Sequence, residues 1–392
     1  MIYDAIIIGG GAAGLYCALH AGRRGKRVLI IEHNTEVGAK ILISGGGRCN
    51  FTNLNAAPDR FLSANPHFAR SALARHTQAD FVGLVEKHRI AFYEKTLGQL
   101  FCEGPRSSRK VVQMLLDECA ANGVAIRIAC SVTSIERAER FKVETTQGAF
   151  EANVLIIATG GLPIPKLGAT GFAFDVAKKF GIPIVATRPA LVPLTFDADD
   201  LSAMQPLSGV STEIIASLGK AAFREAALVT HRGLSGPAIL QISSYWSDPS
   251  QQIKIDWLPG VKDDVLVAIK RERPLILPKT ALAMRLPERL ATALAADQPP
   301  RPLGEWKDDA LIAFTRSKLK GDLIKVSGTE GYAKAEVMAG GIDTNALSQQ
   351  SMETRAAPGL FFIGEAVDVT GWLGGYNFQW AWSSAWAAAQ AL

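Results

Sequence analysis

Gly9, Gly11 and Gly14 keep a Gly-x-Gly-x-x-Gly spacing directly after the apolar run Ala5-Ile6-Ile7-Ile8, and Glu32 follows a second apolar run, Val28-Leu29-Ile30-Ile31, eighteen residues past Gly14. Each residue type has a mechanical use at its place. Gly9 permits a tight turn out of a strand, and Gly14 lets the following helix lie close against that strand. Gly11, without a side chain, lets a pyrophosphate reach the orphan N–H groups and the positive dipole end of the helix. Glu32 is placed to accept hydrogen bonds from a ribose 2′-hydroxyl, and its charge argues against a 2′-phosphate there. Strand, turn, helix, strand and acid in this order predict an ADP-containing dinucleotide, and taken alone the stretch suits NAD as well as FAD.

Three further stretches carry chemistry. In Ser44-Gly45-Gly46-Gly47-Arg48-Cys49-Asn50 the glycines predict a loop that wraps closely round a ligand, offering backbone donors and polar side chains. Its place just beyond Glu32 suits the far half of a flavin dinucleotide. Ala158-Thr159-Gly160-Gly161 follows the apolar strand Val154-Leu155-Ile156-Ile157, and its small residues let the chain pass a cofactor at the C-terminal edge of a parallel sheet. Near the end, Gly364-Glu365-Ala366-Val367-Asp368 closes another apolar strand, and Gly371 to Gln379 leads into a last helix. Starting near Asn377, that helix would aim its first N–H groups at an electron-rich isoalloxazine edge. The five cysteines contain no Cys-x-x-Cys and the six histidines no metal-ligand spacing. Neither a disulfide framework nor a metal site is expected, and an organic cofactor carries the hard chemistry.

The elements that must position these residues follow from the pattern of the chain. Its 392 residues, 48% hydrophobic and 20% charged, suffice for two or three domains. Residues 1–190 read as the first part of a Rossmann-like domain: helices over 67–95 and from Val111 to Ala121, a strand from Val124 to Cys130 continued to Glu136, and a hairpin from Phe141 to Val154. A composition change at Pro183 to Pro193 opens an insertion, β-rich over 191–261 and helical over 262–325, and residues 326–392 return to the first domain. The insertion is a natural place for substrate recognition. Arg106, Arg109 and Lys110 either meet phosphates or form the charged first turn of a solvated helix. The start lacks a basic leader and carries Asp4, and no run reaches the roughly 18–20 apolar residues of a membrane span, so a cytoplasmic protein is expected. A net charge of +5, with thirteen Lys/Arg against nine Asp/Glu over 262–325, permits an anionic partner without demanding one.

With these motifs in hand, the chain resembles the YhiN/BaiN/RdsA-type FAD-dependent oxidoreductase family nearly end to end. Ser-Gly-Gly-Gly-Arg-Cys-Asn and Gly-Gly-Tyr-Asn-Phe-Gln-Trp-Ala are far more specific than the first glycine pattern. Leu97 to Cys102, Arg232 to Pro237 and Gly371 to Trp382 resemble the ribosomal RNA dihydrouridine synthase branch in particular. The resemblance implies an α/β, glutathione-reductase-like flavoprotein fold with a β-rich and a helical insertion. It also implies FAD contacts from Gly9, Gly11, Ala13, Gly14, Glu32, Lys40, Ser44, Gly46, Gly47, Arg48, Val132, Ala158, Thr159, Gly160, Gly364, Glu365, Asp368, Gly375, Asn377 and Phe378. The implied reaction is reduction of a uridine in 23S ribosomal RNA with NADH or NADPH as transient electron donor; the alternative is a small-molecule oxidase or enone reductase. Reducing a uracil needs a proton at C5, and an ordinary thiol, with a pKa near 8.5, holds one at neutral pH. Cys49 is the first candidate donor, Cys102 the second and His231 the third. Trp246, Trp257 and Trp306 stand either as base-stacking surfaces or as core.

Overall fold

The computed structural model describes residues 2–392, the side chains of Asp200 and Ala203 apart. The chain divides into two compact units, one of Met1–Arg188 with Val337–Leu392 and one of Pro189–Glu336.

The first unit opens with β1 (Ile2–Ile8), α1 (Ala12–Arg23), β2 (Val28–Ile31), α2 (Ala39–Gly47), β3 (Asn50–Asn53) and β4 (Phe61–Leu62). Helices α3 (Arg70–Arg75) and α4 (Gln78–Lys87) come next, then β5 (Phe92–Glu94), β6 (Gln99–Cys102), α5 (Ser108–Ala121), β7 (Ala125–Arg127), β8 (Val132–Arg137), β9 (Phe141–Thr145) and β10 (Gly148–Ile157). The main sheet has the order β7-β2-β1-β10-β9-β8, and a strand at Leu360–Phe362 also pairs with β10. β1, β2 and Leu360–Phe362 all run parallel to their neighbours, with Ile8 opposite both Ile31 and Ile157, and Ile157 opposite Phe362. One sheet edge therefore collects four strand ends, and Gly9, Glu32, Ala158 and Gly364 each leave from it. Such an edge is where open α/β sheets bind ligands. These strands are continuous apolar runs because both faces are covered. α1 and the closing helix Tyr376–Ala389 pack together, burying Leu15, Leu19 and Trp382 completely.

Several expected elements are drawn differently. The hairpin strand and the parallel strand are one ten-residue strand, β10, antiparallel to β9 through its first half and parallel to β1. The stretch 124–136 is two strands on opposite edges of the sheet, broken by Ala129 in the left-handed region at φ 51°. The helical reading of 67–95 holds for α3 and α4 but not for β5, which pairs with β6. The glycine loop is the end of α2, with Ser44 extended and Gly45 and Gly46 left-handed.

The second unit is built on a seven-stranded sheet whose pairings are antiparallel. Its helices from Val265–Glu272 to Asp308–Phe314 lie in sequence between the strands Gln252–Asp256 and Asp322–Lys325, which pair with each other. The β-rich and helical stretches therefore share one unit, which the strand Gly328–Thr329 carries past residue 325. Trp246, Trp257 and Trp306 are buried here, with indole N–H groups donating to Gln251 O, Asp322 Oδ2 and Arg301 O. They are core, not stacking surfaces.

Candidate functional site

A cleft of about 620 Å³, open solvent included, lies at the edge where β1, β2 and β10 end. Gly9, Gly11, Glu32, Lys40, Ala158, Thr159, Gly160 and Glu365 are among its lining residues. Gly9 holds φ 107°, and a β-carbon there would lie 2.6 Å from Ala158 O. Gly14 is tighter still, with Gly9 O only 1.9 Å from its would-be β-carbon. Gly11 is the opposite case: a β-carbon would project into open space. It caps α1 without any side-chain hydrogen bond, leaving the first N–H groups of the helix to a ligand. Ala13 is buried, with its Cβ 2.9 Å from the β-carbon position of Gly364.

Glu32 is 6% exposed. Its Oε2 accepts from Gly10 N at 2.7 Å and its Oε1 from Asn34 N at 2.8 Å. His33 Nδ1 also stands 3.2 Å from Oε1, so of the roughly four acceptor positions of a carboxylate the spare one on Oε2 remains for a ribose hydroxyl. Lys40 Nζ and Glu365 Oε2 form an ion pair at 2.5 Å between the start of α2 and the turn after Leu360–Phe362. Thr159 Oγ1 and Glu365 Oε1 are buried and, among the described residues, have no hydrogen-bond partner. Buried polar groups are seldom left unpaired. An open glycine cradle, an uncapped helix end, a spare carboxylate acceptor and two orphaned polar atoms fit a dinucleotide.

A second cluster joins the end of α2 to the loop before the closing helix. Gly375 is left-handed, and a β-carbon there would sit 2.3 Å from Thr52 O of β3. Asn53 Nδ2 donates to Gly374 O, and Asn377 Oδ1 accepts from Gly371 N. Phe378 stacks on Trp382 at 5.6 Å. Ser44 Oγ donates to Ile41 O, Gly46 has open space around it, and Gly47 meets nothing closer than Leu42 O at 3.9 Å. Arg48 is exposed, with Nη1 donating to Tyr93 OH at 3.2 Å. Asp368 accepts from Ala64 N at 2.8 Å, and burial pushes its carboxyl above the ordinary range. Val132 begins β8 and is not among the residues lining the cleft.

Of the three candidate proton donors, Cys49 and Cys102 belong to the first unit and His231 to the second. Cys49 and Cys102 lie side by side with no accessible surface. Burial pushes the Cys49 thiol well up and that of Cys102 up to about 12. His231 sits on an exposed turn of the second unit, after the strand Ala221–Thr230. Several contributors escaped the sequence reading. His33, Asn34 and the segment Pro163 to Ala169 complete the cleft, with Asn34 Nδ2 donating to Leu167 O. Tyr93 was hidden inside a stretch read as helix.

Fold and cleft together define a Rossmann-type dinucleotide-binding protein, and its relatives are oxidoreductases. Residues 3–391 match the family described as HI0933-like protein Rossmann domain, and the chain belongs to it. The chain is 49% identical to the ribosomal RNA dihydrouridine synthase of Escherichia coli (strain K12), covering 100% of this chain and 98% of the relative. It is 28% identical to the 3-dehydro-bile acid delta(4,6)-reductase of Clostridium scindens, covering 98% of each. Among solved structures, the 3-ketosteroid-delta4-(5alpha)-dehydrogenase of Rhodococcus jostii RHA1 shares the fold, with a TM-score of 0.50 at 14% identity over 99% of this chain and 97% of that one. No helix among the described residues is long and apolar enough to cross a membrane.

Proposed function

We propose that the protein holds FAD, draws electrons from NADH or NADPH, and reduces a uridine of 23S ribosomal RNA to dihydrouridine. The observation that carries this reading is the end-to-end 49% identity to a ribosomal RNA dihydrouridine synthase. When bound, FAD would supply hydride chemistry, taking a hydride from the nicotinamide donor and passing it to the uracil, whose second hydrogen would be a proton drawn from solvent.

The chain's own residues have separable tasks. The uncapped start of α1 binds the pyrophosphate, helped by the open approach at Gly11. Glu32 holds the ribose through its spare acceptor position on Oε2. Lys40, paired with Glu365 at the cleft, offers a positive charge to the anionic cofactor. The closing helix begins at Tyr376 with no side-chain cap, and the positive end of its dipole favours an electron-rich ring edge. A base in folded RNA must be exposed or flipped before it reaches such a site.

Deletion of the gene, mapping of dihydrouridine in 23S ribosomal RNA, and restoration with the wild-type chain test this reading. One modified position should disappear and return; an unchanged pattern on deletion rules the reading out. The 28% relative favours a second reading, reduction of a small-molecule enone. NAD(P)H-dependent turnover of free enones without RNA would select it.

A further inference from the structure

β3, β6 and β5 form a small antiparallel sheet with β5 at one edge. Successive side chains of a strand point to opposite faces. Phe92 packs edge-on against Phe51 in the core, at 5.6 Å and 90°, so Tyr93 turns to the other face. There it lies nearly parallel to Phe101, with ring centroids 6.1 Å apart and planes at 25°. Lys95 Nζ stands 5.5 Å from the Phe101 centroid, and Arg48 Nη1 donates to Tyr93 OH. The same face abuts the glycine turn at the end of α2, since a β-carbon on Gly45 would strike Phe101 at 2.7 Å. Arg106, itself left-handed at φ 54°, backs onto Gly47, and Lys110 follows one turn into α5.

The charges around this face are one-sided. Among the described residues, Arg48, Lys95, Arg106 and Lys110 enter no ion pair, while Arg109 is paired with Glu36 at 3.3 Å. Of the acids in the same loops, Glu94, which accepts from Gly98 N, and Glu103 stand against the four cations. A half-buried aromatic plane with unpaired cations at its rim suits a single-stranded nucleic acid, whose bases stack while its phosphates meet the charges.

We propose that the outer face of β5 and β6, centred on Tyr93 and rimmed by Arg48, Lys95, Arg106 and Lys110, binds the single-stranded RNA segment flanking the reactive uridine, with a neighbouring base stacked on Tyr93. The assignment rests on the RNA reading of the site and adds to it where the strand lies. Tyr93 supplies a stacking plane that accepts any base. The cations fix the path of the backbone without reading sequence.

The test uses the full-length, FAD-loaded protein and a short fluorescein-labelled oligouridine, followed by anisotropy over a series of salt concentrations. Tyr93→Ala should weaken binding about tenfold and leave the salt slope unchanged. The combined variant Lys95→Ala, Arg106→Ala, Lys110→Ala should weaken binding and flatten the slope of log K against log salt by about two units, close to 0.7 for each phosphate no longer neutralised. Lys179→Ala, an exposed cation of another helix, should bind as wild type. Flavin content and melting temperature report whether each variant is folded, and the triple surface variant decides the matter should Tyr93→Ala not fold. Wild-type binding and slope in the folded triple variant would overturn the surface while leaving the reaction standing. Competition by polyglutamate as strong as by polyuridine would reassign the face to an acidic protein. Unchanged ribosomal RNA dihydrouridine on gene deletion would remove the reaction, and this assignment with it.

Discussion

Cys49 is held at φ 50°, a backbone region that a β-carbon disfavours, and it is enclosed against Cys102. A group that hands a proton to substrate must be within hydrogen-bond reach of it, and a side chain without accessible surface offers no such approach. Its burial therefore predicts a packing role. Cys49→Ala should keep turnover within about threefold and lower unfolding stability by about 1 kcal/mol. A fall in turnover of about 100-fold or more, with the flavin still bound, would restore Cys49 as proton donor. Histidine burial gives a second residue-scale prediction. Burial first, then mutual repulsion and Arg23, lowers His20 to about 3, and burial lowers His76 to about 4 despite Asp80. His76 Nε2 is bonded to Tyr16 OH at 2.8 Å, so the pair is fixed in the core between α1 and the closing helix. Both folded values lie below the ordinary 6.5, so the unfolded chain takes up protons that the folded chain refuses. Their contribution is complete above about pH 6.5 and is lost as pH falls toward 4, each approaching a slope of about 1.4 kcal/mol per pH unit. Melting temperatures measured between about pH 7.5 and pH 5 should fall, and His76→Gln should fall less steeply. Parallel curves for the two proteins would show that His76 does not titrate in this window.

At the scale of elements, the turn from β1 into α1 separates folding from ligand binding within six residues. Gly14→Ala would place a β-carbon 1.9 Å from Gly9 O, backbone against backbone, so it should prevent folding. Gly11→Ala meets no protein atom, so the apoprotein should melt within about 1 °C of wild type. Its methyl group occupies the pyrophosphate approach, and flavin affinity, read by fluorescence quenching, should drop about tenfold or more. Normal FAD binding by the Gly11→Ala variant would place the pyrophosphate elsewhere. This turn was legible because its chemistry permits few residue types. Other elements were illegible for equally physical reasons. β10 changes partners midway, and both halves are apolar enough to read as separate strands. The turn at Leu97 is marked by Gly98, but the chain reversals at Arg89 and Ala129 are left-handed without the glycine or asparagine that would mark them. β5 and its Tyr93 were hidden in this way, inside the stretch 67–95 that reads as helical throughout.

For the whole molecule, the insertion leaves and returns through one pair of strands. Ile184–Ala190 pairs with Val337–Ile342, and a β-carbon on Gly340 would lie 2.2 Å from Ala186 O. The pairing continues outward, since Leu191 O accepts from Glu336 N at 3.1 Å. The two crossing points of the chain are thus neighbours on adjacent strands, about 5 Å apart in the hydrogen-bonding direction. An insertion anchored this way can be cut to a hairpin turn without separating the ends it joins. The first unit also keeps its own core and every residue that lines the cleft. A chain in which a short glycine-containing turn replaces residues 189–336 should therefore fold and bind FAD within about tenfold of the full-length affinity. Flavin absorbance after gel filtration and a fluorescence titration measure this directly. The same shortened chain retains Tyr93 and its rim of cations, so it should bind oligouridine with the salt slope of the intact protein, while ribosomal RNA reduction is lost if the insertion positions the substrate. A soluble shortened chain that binds no flavin would mean that the second unit completes the cofactor site, and the six-residue turn at Gly9 to Gly14 would then be necessary to it without being sufficient.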